Sequence, residues 1–142
     1  GGPNNFIVYM SGGVHVGGSE TGPERAYHLV LDGPTTVRAR ITGYQMEGVG
    51  NPDIFLLSSF ASDAVVPGGF GDGSVGAEAV YSDAPAGVVY LVVDGWQGWA
   101  NEYTFDVACE GHGTATPTAT STPGALLPVR IHLPVILNEF AQ

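Results

Sequence analysis

Seven short apolar stretches, each closed by a turn signal, leave this chain little room for anything but β-structure. They are residues 6–10, 26–31, 37–41, 54–57, 77–82, 88–93 and 102–109. Asn4-Asn5 and Ser11-Gly12-Gly13 bracket the first, Asp32-Gly33-Pro34 ends the second, Asp83-Ala84-Pro85-Ala86-Gly87 precedes the sixth and Asp94-Gly95 stops it. Such clusters favour tight turns and interrupt helices. With 22 glycines, 10 prolines and only 13% charged residues, a long solvated helix has nowhere to form.

The pattern inside each stretch says how it should lie. Val37, Ala39 and Ile41 alternate with Arg38, Arg40 and Thr42, the period of a strand with one wet face. Residues 54–57 are apolar without interruption, as in a central strand. In 88–93 both alternating sets are apolar (Leu91 and Val93, Tyr90 and Val92), so this strand belongs in mid-sheet. Tyr103, Phe105 and Val107 share one face. Residues 60–76 read as a long Gly/Ala/Ser loop. The expectation is one all-β domain over residues 1–112, an antiparallel sandwich of about seven strands.

The order of pieces is also specific. Tyr27-His28-Leu29-Val30-Leu31 leads to Thr36–Ile41, then Asn51-Pro52-Asp53-Ile54-Phe55-Leu56-Leu57, then Ala84–Asp94, then Glu102–Val107. Asp53-Ile54-Phe55 and Ala86-Gly87-Val88-Val89-Tyr90 carry the likeness. Over residues 20–109 the chain resembles the bacterial pre-peptidase C-terminal (PPC) domain. The resemblance implies a jelly-roll-like β-sandwich that serves secreted enzymes as a non-catalytic appendage. It also implies relatives that bind calcium or fibrous substrates.

Charge excludes some partners. The net charge is −10, there is no lysine, and the cations are Arg25, Arg38, Arg40 and Arg130. Nucleic-acid binding needs clustered cations to release counterions from phosphates, and anionic membranes need the same. No apolar run approaches the roughly 18 residues of a membrane span. A lone Cys109 cannot form an internal disulfide. Gly1 looks like a processed or trimmed end, and the Gly-, Thr- and Pro-rich composition suggests an extracellular or cell-surface protein.

Catalytic patterns fail on context. Gly71-Asp72-Gly73-Ser74-Val75-Gly76 spells G-x-G-x-x-G, yet no βαβ unit surrounds it. The nucleophile-elbow pattern fails similarly. His15, His28, His112 and His132 show no ligand spacing. Asp32, Asp53, Asp72, Asp83 and Asp94 lie at or near turns; turn capping explains them, and calcium is the one ion they would suit. The expectation is a non-enzyme without metal or cofactor. Trp96 and Trp99 flank a Gly-containing turn, where they either cap the sandwich or offer a stacking platform for a partner or glycan.

Beyond the domain, residues 113–127 form a Thr/Pro linker suited to polyproline II. Fifteen such residues reach roughly 45 Å, against a domain diameter of about 35 Å. Thr114, Thr116, Thr118, Thr120, Ser121 and Thr122 are candidates for O-linked sugars. The tail, residues 128–142, carries Val129, Ile131, Leu133, Val135 and Leu137 on one alternating face. Burying these five would yield about 7–15 kcal/mol, comparable to the roughly 4–15 kcal/mol cost of association. Pro128 and Pro134 suit a sheet boundary or edge. The tail is therefore a last strand of its own domain, a strand donated to a neighbouring copy, a surface-sorting tail lacking L-P-x-T-G, or an edge of a larger assembly. The leading expectation is a secreted structural subunit forming a head-to-tail homopolymer by strand donation. The alternative is an accessory substrate-binding domain of a secreted hydrolase.

Overall fold

The computed structural model describes residues 6–45, 51–73, 75–97, 102–111, 115–118 and 131–132. Strands account for all regular structure among them. They are β1 (Tyr9–Ser11), β2 (Val14–Val16), β3 (Arg25–Leu31), β4 (Thr35–Gln45), β5 (Pro52–Leu57), β6 (Val65–Gly71), β7 (Glu78–Ala84), β8 (Gly87–Gly95), β9 (Glu102–Gly111), β10 (Ala115–Thr118) and β11 (Ile131–His132). Five form one sheet in the order β10-β3-β8-β5-β6, and four form another in the order β11-β9-β4-β7. The fold is a β-sandwich, antiparallel throughout except where β11 runs parallel to β9.

Alternation places the core between the sheets. Leu29 and Leu31 of β3, Ile54 and Leu56 of β5, and Val89, Leu91 and Val93 of β8 face inward from the larger sheet. Val37, Ala39 and Ile41 of β4, Ala79 of β7, and Phe105 and Val107 of β9 meet them. Arg38, Arg40 and Thr42 take the wet face, as the alternation in β4 requires. Both β5 and β8 lie inside their sheet, which is why their sequences are apolar on both faces.

The outer face of the larger sheet has its own cover. Tyr9, Phe55, Leu57, Val65 and Val92 are buried there in a second cluster, beneath the β1–β2 hairpin. Gly12 and Gly13 connect that hairpin with φ values of 58° and 81°. Positive φ at both central residues is what a two-residue type I′ turn demands, and glycine supplies it without strain. In sequence, Ser11-Gly12-Gly13 marks only the end of a strand. The three-residue β2 that follows is too short to carry a period.

Residues 60–76 are not a loop throughout, because β6 runs through them. Its Pro67-Gly68-Gly69 centre looks like a turn but forms a bulge on an edge strand, where a missing amide donor is tolerated. From Phe55↔Phe70 to Leu57↔Val65, β5 advances two residues (57 − 55) while β6 advances five (70 − 65). Gly69 makes the bulge possible: a β-carbon there would lie 2.7 Å from the Leu56 carbonyl oxygen and 2.6 Å from Val66 Cγ2. Gly69→Ala should therefore lower stability by about 1–3 kcal/mol, as overpacking does. A urea midpoint equal to the parent's would contradict this.

Candidate functional site

The two C-terminal strands sit on one flank of the sandwich. That flank is defined by β3 and β9, whose side chains meet across it: Tyr27 Oη lies 3.3 Å from Tyr103 Oη, and the Tyr27 and Phe105 rings are 5.1 Å apart. Burial holds the Tyr103 phenol well above its ordinary pKa, with Tyr27 adding to the shift. Onto the β3 edge comes β10, with Thr116 opposite Val30 and Thr118 opposite His28. Onto the β9 edge comes β11, with Ile131 opposite Phe105 and His132 opposite Asp106. Part of the Thr/Pro segment, expected as a polyproline II spacer, is thus a β-strand on its own domain. An unpaired sheet edge is a template for any strand, and here the chain's own residues use it.

Of the other predicted contact residues, Val129, Leu133, Val135 and Leu137 lie outside the described residues. So do Thr114, Thr120, Ser121, Thr122 and Trp99. Trp96 is half-buried, in an isolated bridge with Glu20. Its indole lies on Gly18, where a β-carbon would be 2.5 Å from Nε1. Trp96 therefore packs the end of the sandwich.

That same end holds a group the sequence reading did not assemble. Glu20, Glu24, Asp53 and Asp94 are buried, at 0%, 6%, 3% and 1% exposure. Asp53 and Asp94 face one another across β5 and β8. Backbone amides and one phenol serve these carboxyls. Gly73 N donates to Asp53 Oδ1 at 2.7 Å, and Gly95 N to Asp94 Oδ1 at 2.8 Å. Tyr9 Oη donates to Asp94 Oδ2 at 3.0 Å. Gly18 N donates to Glu20 Oε1 at 2.8 Å, and Phe6 N to Glu24 Oε2 at 3.0 Å. Exposed Asp72 accepts from Asn51 Nδ2 at the rim.

Burial dominates the electrostatics. It pushes Asp53 up to about 8, helped by the charge of Glu20 and a hydrogen bond with it, and opposed by the Gly73 amide. It pushes Asp94 up to about 7, with Glu24 and Asp53 raising it further and Tyr9 and Gly95 opposing. Glu20 is raised too, first by burial. Tyr9 is raised by burial and by Asp94. The Glu20–Asp53 pair is accordingly a carboxyl–carboxylate contact that holds a proton near neutral pH.

No family model, curated protein or solved structure matches this chain. Among the described residues, no group of three or more His, Cys, Asp or Glu side chains is arranged to hold a metal ion. Cys109 is half-buried, and burial raises its thiol, which works against thiolate chemistry.

What the arrangement offers is a strand-accepting flank and a proton-holding end. Of the alternating tail that the sequence offered for the first, only Ile131 and His132 lie among the described residues. The second had only scattered acids at the ends of apolar runs as its signal, since Glu20, Asp53 and Asp94 are remote in sequence.

Proposed function

We propose that this chain is a secreted structural subunit that polymerises at the cell surface by exchanging its C-terminal strand with neighbouring copies. The observation that carries this reading is the pairing of Ile131–His132 with Phe105–Asp106 along the β9 edge. An edge that accepts this strand from its own chain can accept the same strand from a copy, with the same contacts. Such swapping is a low-cost route to assembly, and a head-to-tail exchange that does not close gives a fibre. From Thr118 to Ile131 the chain advances 13 residues (131 − 118), a reach of about 40 Å when extended. That is enough for either copy.

Concentration decides between the two. A tethered strand sees its own edge at an effective concentration of roughly millimolar. Exchange between copies therefore belongs to crowded, surface-confined material and reverses on dilution. The resemblance to PPC domains is in keeping with secretion and with a non-catalytic role.

Deleting residues 126–142 tests the reading. The full chain, concentrated, should sediment as fibres visible by negative-stain electron microscopy. The truncated chain should keep its β circular dichroism and stay monomeric. Fibres from the truncated chain would end the proposal. Retention of a strictly monomeric full chain on insoluble polysaccharide or collagen would favour the accessory-domain alternative.

A further inference from the structure

We propose that the N-terminal hairpin is fastened to the sandwich by a proton-operated latch, in which the Glu20–Asp53 carboxyl pair and Asp94 beneath Tyr9 hold it closed in acid and loosen it in alkali. Among the described residues, Met10 N of β1 donates to the Ser62 carbonyl on the β5–β6 loop, and other polar contacts of the hairpin and the segment after it gather at the acids. Tyr9 stacks on Phe55 with ring centroids 3.8 Å apart, and its hydroxyl ends on Asp94. Glu20 N donates to the Ile7 carbonyl, and Gln97 N to the Ser19 carbonyl. Gly22 N donates to the Gly95 carbonyl, beside Asp94. Phe6 is tied by its amide to Glu24. The segment between β2 and β3 thus carries two of the buried acids, and the sheet beneath it carries the other two.

The groups facing this centre are Tyr9 from β1, Glu20 and Glu24 from the connecting segment, Asp53 from β5, Asp72 from the turn after β6 and Asp94 from β8. Arg25 of β3, paired with inward-facing Val93, and Tyr103 of β9 lie on the inter-sheet side, where Arg25 acts on Tyr103 and Tyr103 feels Asp94. Five of the facing groups are carboxyls. Full ionisation places like charges opposite each other on β5 and β8 and within reach of Glu20 and Glu24, which opposes closure. Sequestering them from water adds to the cost.

The sign follows from linkage. The folded state binds protons on Asp53 and Asp94 up to about 8 and about 7, whereas an unfolded aspartate releases its proton near 3.9. Between these limits the folded state holds more protons, so stability falls as pH rises. The contribution is complete below about pH 4 and is lost as pH passes through 7 to 8.

Amide hydrogen exchange of the whole chain, with EDTA present, reads this directly. From about pH 5 to about pH 8.5, protection of residues 7–22, corrected for intrinsic exchange, should fall by about tenfold or more relative to β4. The thermal midpoint should fall over the same range. Asp53→Asn keeps an acceptor for Gly73 but cannot ionise, so it should flatten both profiles, and Asp94→Asn should do so in part. A flat parent profile, or a parent-like slope in Asp53→Asn, would overturn the latch. Calcium in place of EDTA should leave the profile unchanged. Calcium that restores protection at about pH 8.5 to its acidic value would overturn it by assigning the closure to a cation.

Discussion

Replacing Phe55 with alanine should cost about 3–5 kcal/mol, the range for truncating a fully buried phenylalanine. Phe55 has no exposed surface, stacks on Tyr9 and meets Phe70 with centroids 5.2 Å apart. It lies on the outer face of β5, so its loss empties the cluster beneath the hairpin while leaving the inter-sheet core in place. The expected result is therefore two-tiered. The global urea midpoint should drop, and residues 7–22 should lose more exchange protection than β4 or β8. Uniform loss across the chain would mean that hairpin and sandwich unfold as one unit.

One residue along, Leu56→Asp should prevent folding. Leu56 is also fully buried, but it points between the sheets among Leu91, Ile41 and other aliphatic side chains. A carboxylate there would have no cation and no arranged donor. The penalty should exceed about 4 kcal/mol, a large part of the roughly 5–15 kcal/mol stability of a natural domain. Loss of the β circular dichroism signal or insoluble expression would be the readout; a soluble, cooperatively melting variant would refute it. The contrast with Asp53, three positions earlier on the same strand, is instructive. Asp53 is also buried, but it sits at the sheet end, where Gly73 N donates to it and a hydrogen bond with Glu20 favours its protonated form. A buried carboxyl is tolerated according to its donors, and depth alone does not decide.

These two neighbours show why some of the fold is legible in sequence. Both faces of β5 are apolar, so its interior position follows from Ile54-Phe55-Leu56-Leu57 alone. The same holds for β8. The one-sided alternation of β4 is equally explicit, and its arginines do lie on the wet face. Arg38 bridges Glu78 at 3.3 Å and Glu110 at 3.5 Å there, exposed pairs of the kind that contribute little. β6 escaped because Pro67-Gly68-Gly69 spells a turn, and only the close approach of the Leu56 carbonyl shows that it is a bulge. β10 escaped because a Thr/Pro tract has no apolar period. Its strand conformation comes from the open edge of β3.

The sequence by itself determined the class of structure: apolar runs of period two between strong turn signals, and too little charge for solvated helices. Those are local and compositional facts, and nearest neighbours along the chain are enough to carry them. Only the tertiary structure decided which edges the C-terminal residues meet, and that Glu20, Glu24, Asp53 and Asp94 share one buried end. Strand pairing joins residues far apart in sequence, and it is this closure that takes the acids out of water. Their proton affinity comes from desolvation and mutual repulsion, which exist only after the sheets and the hairpin have come together.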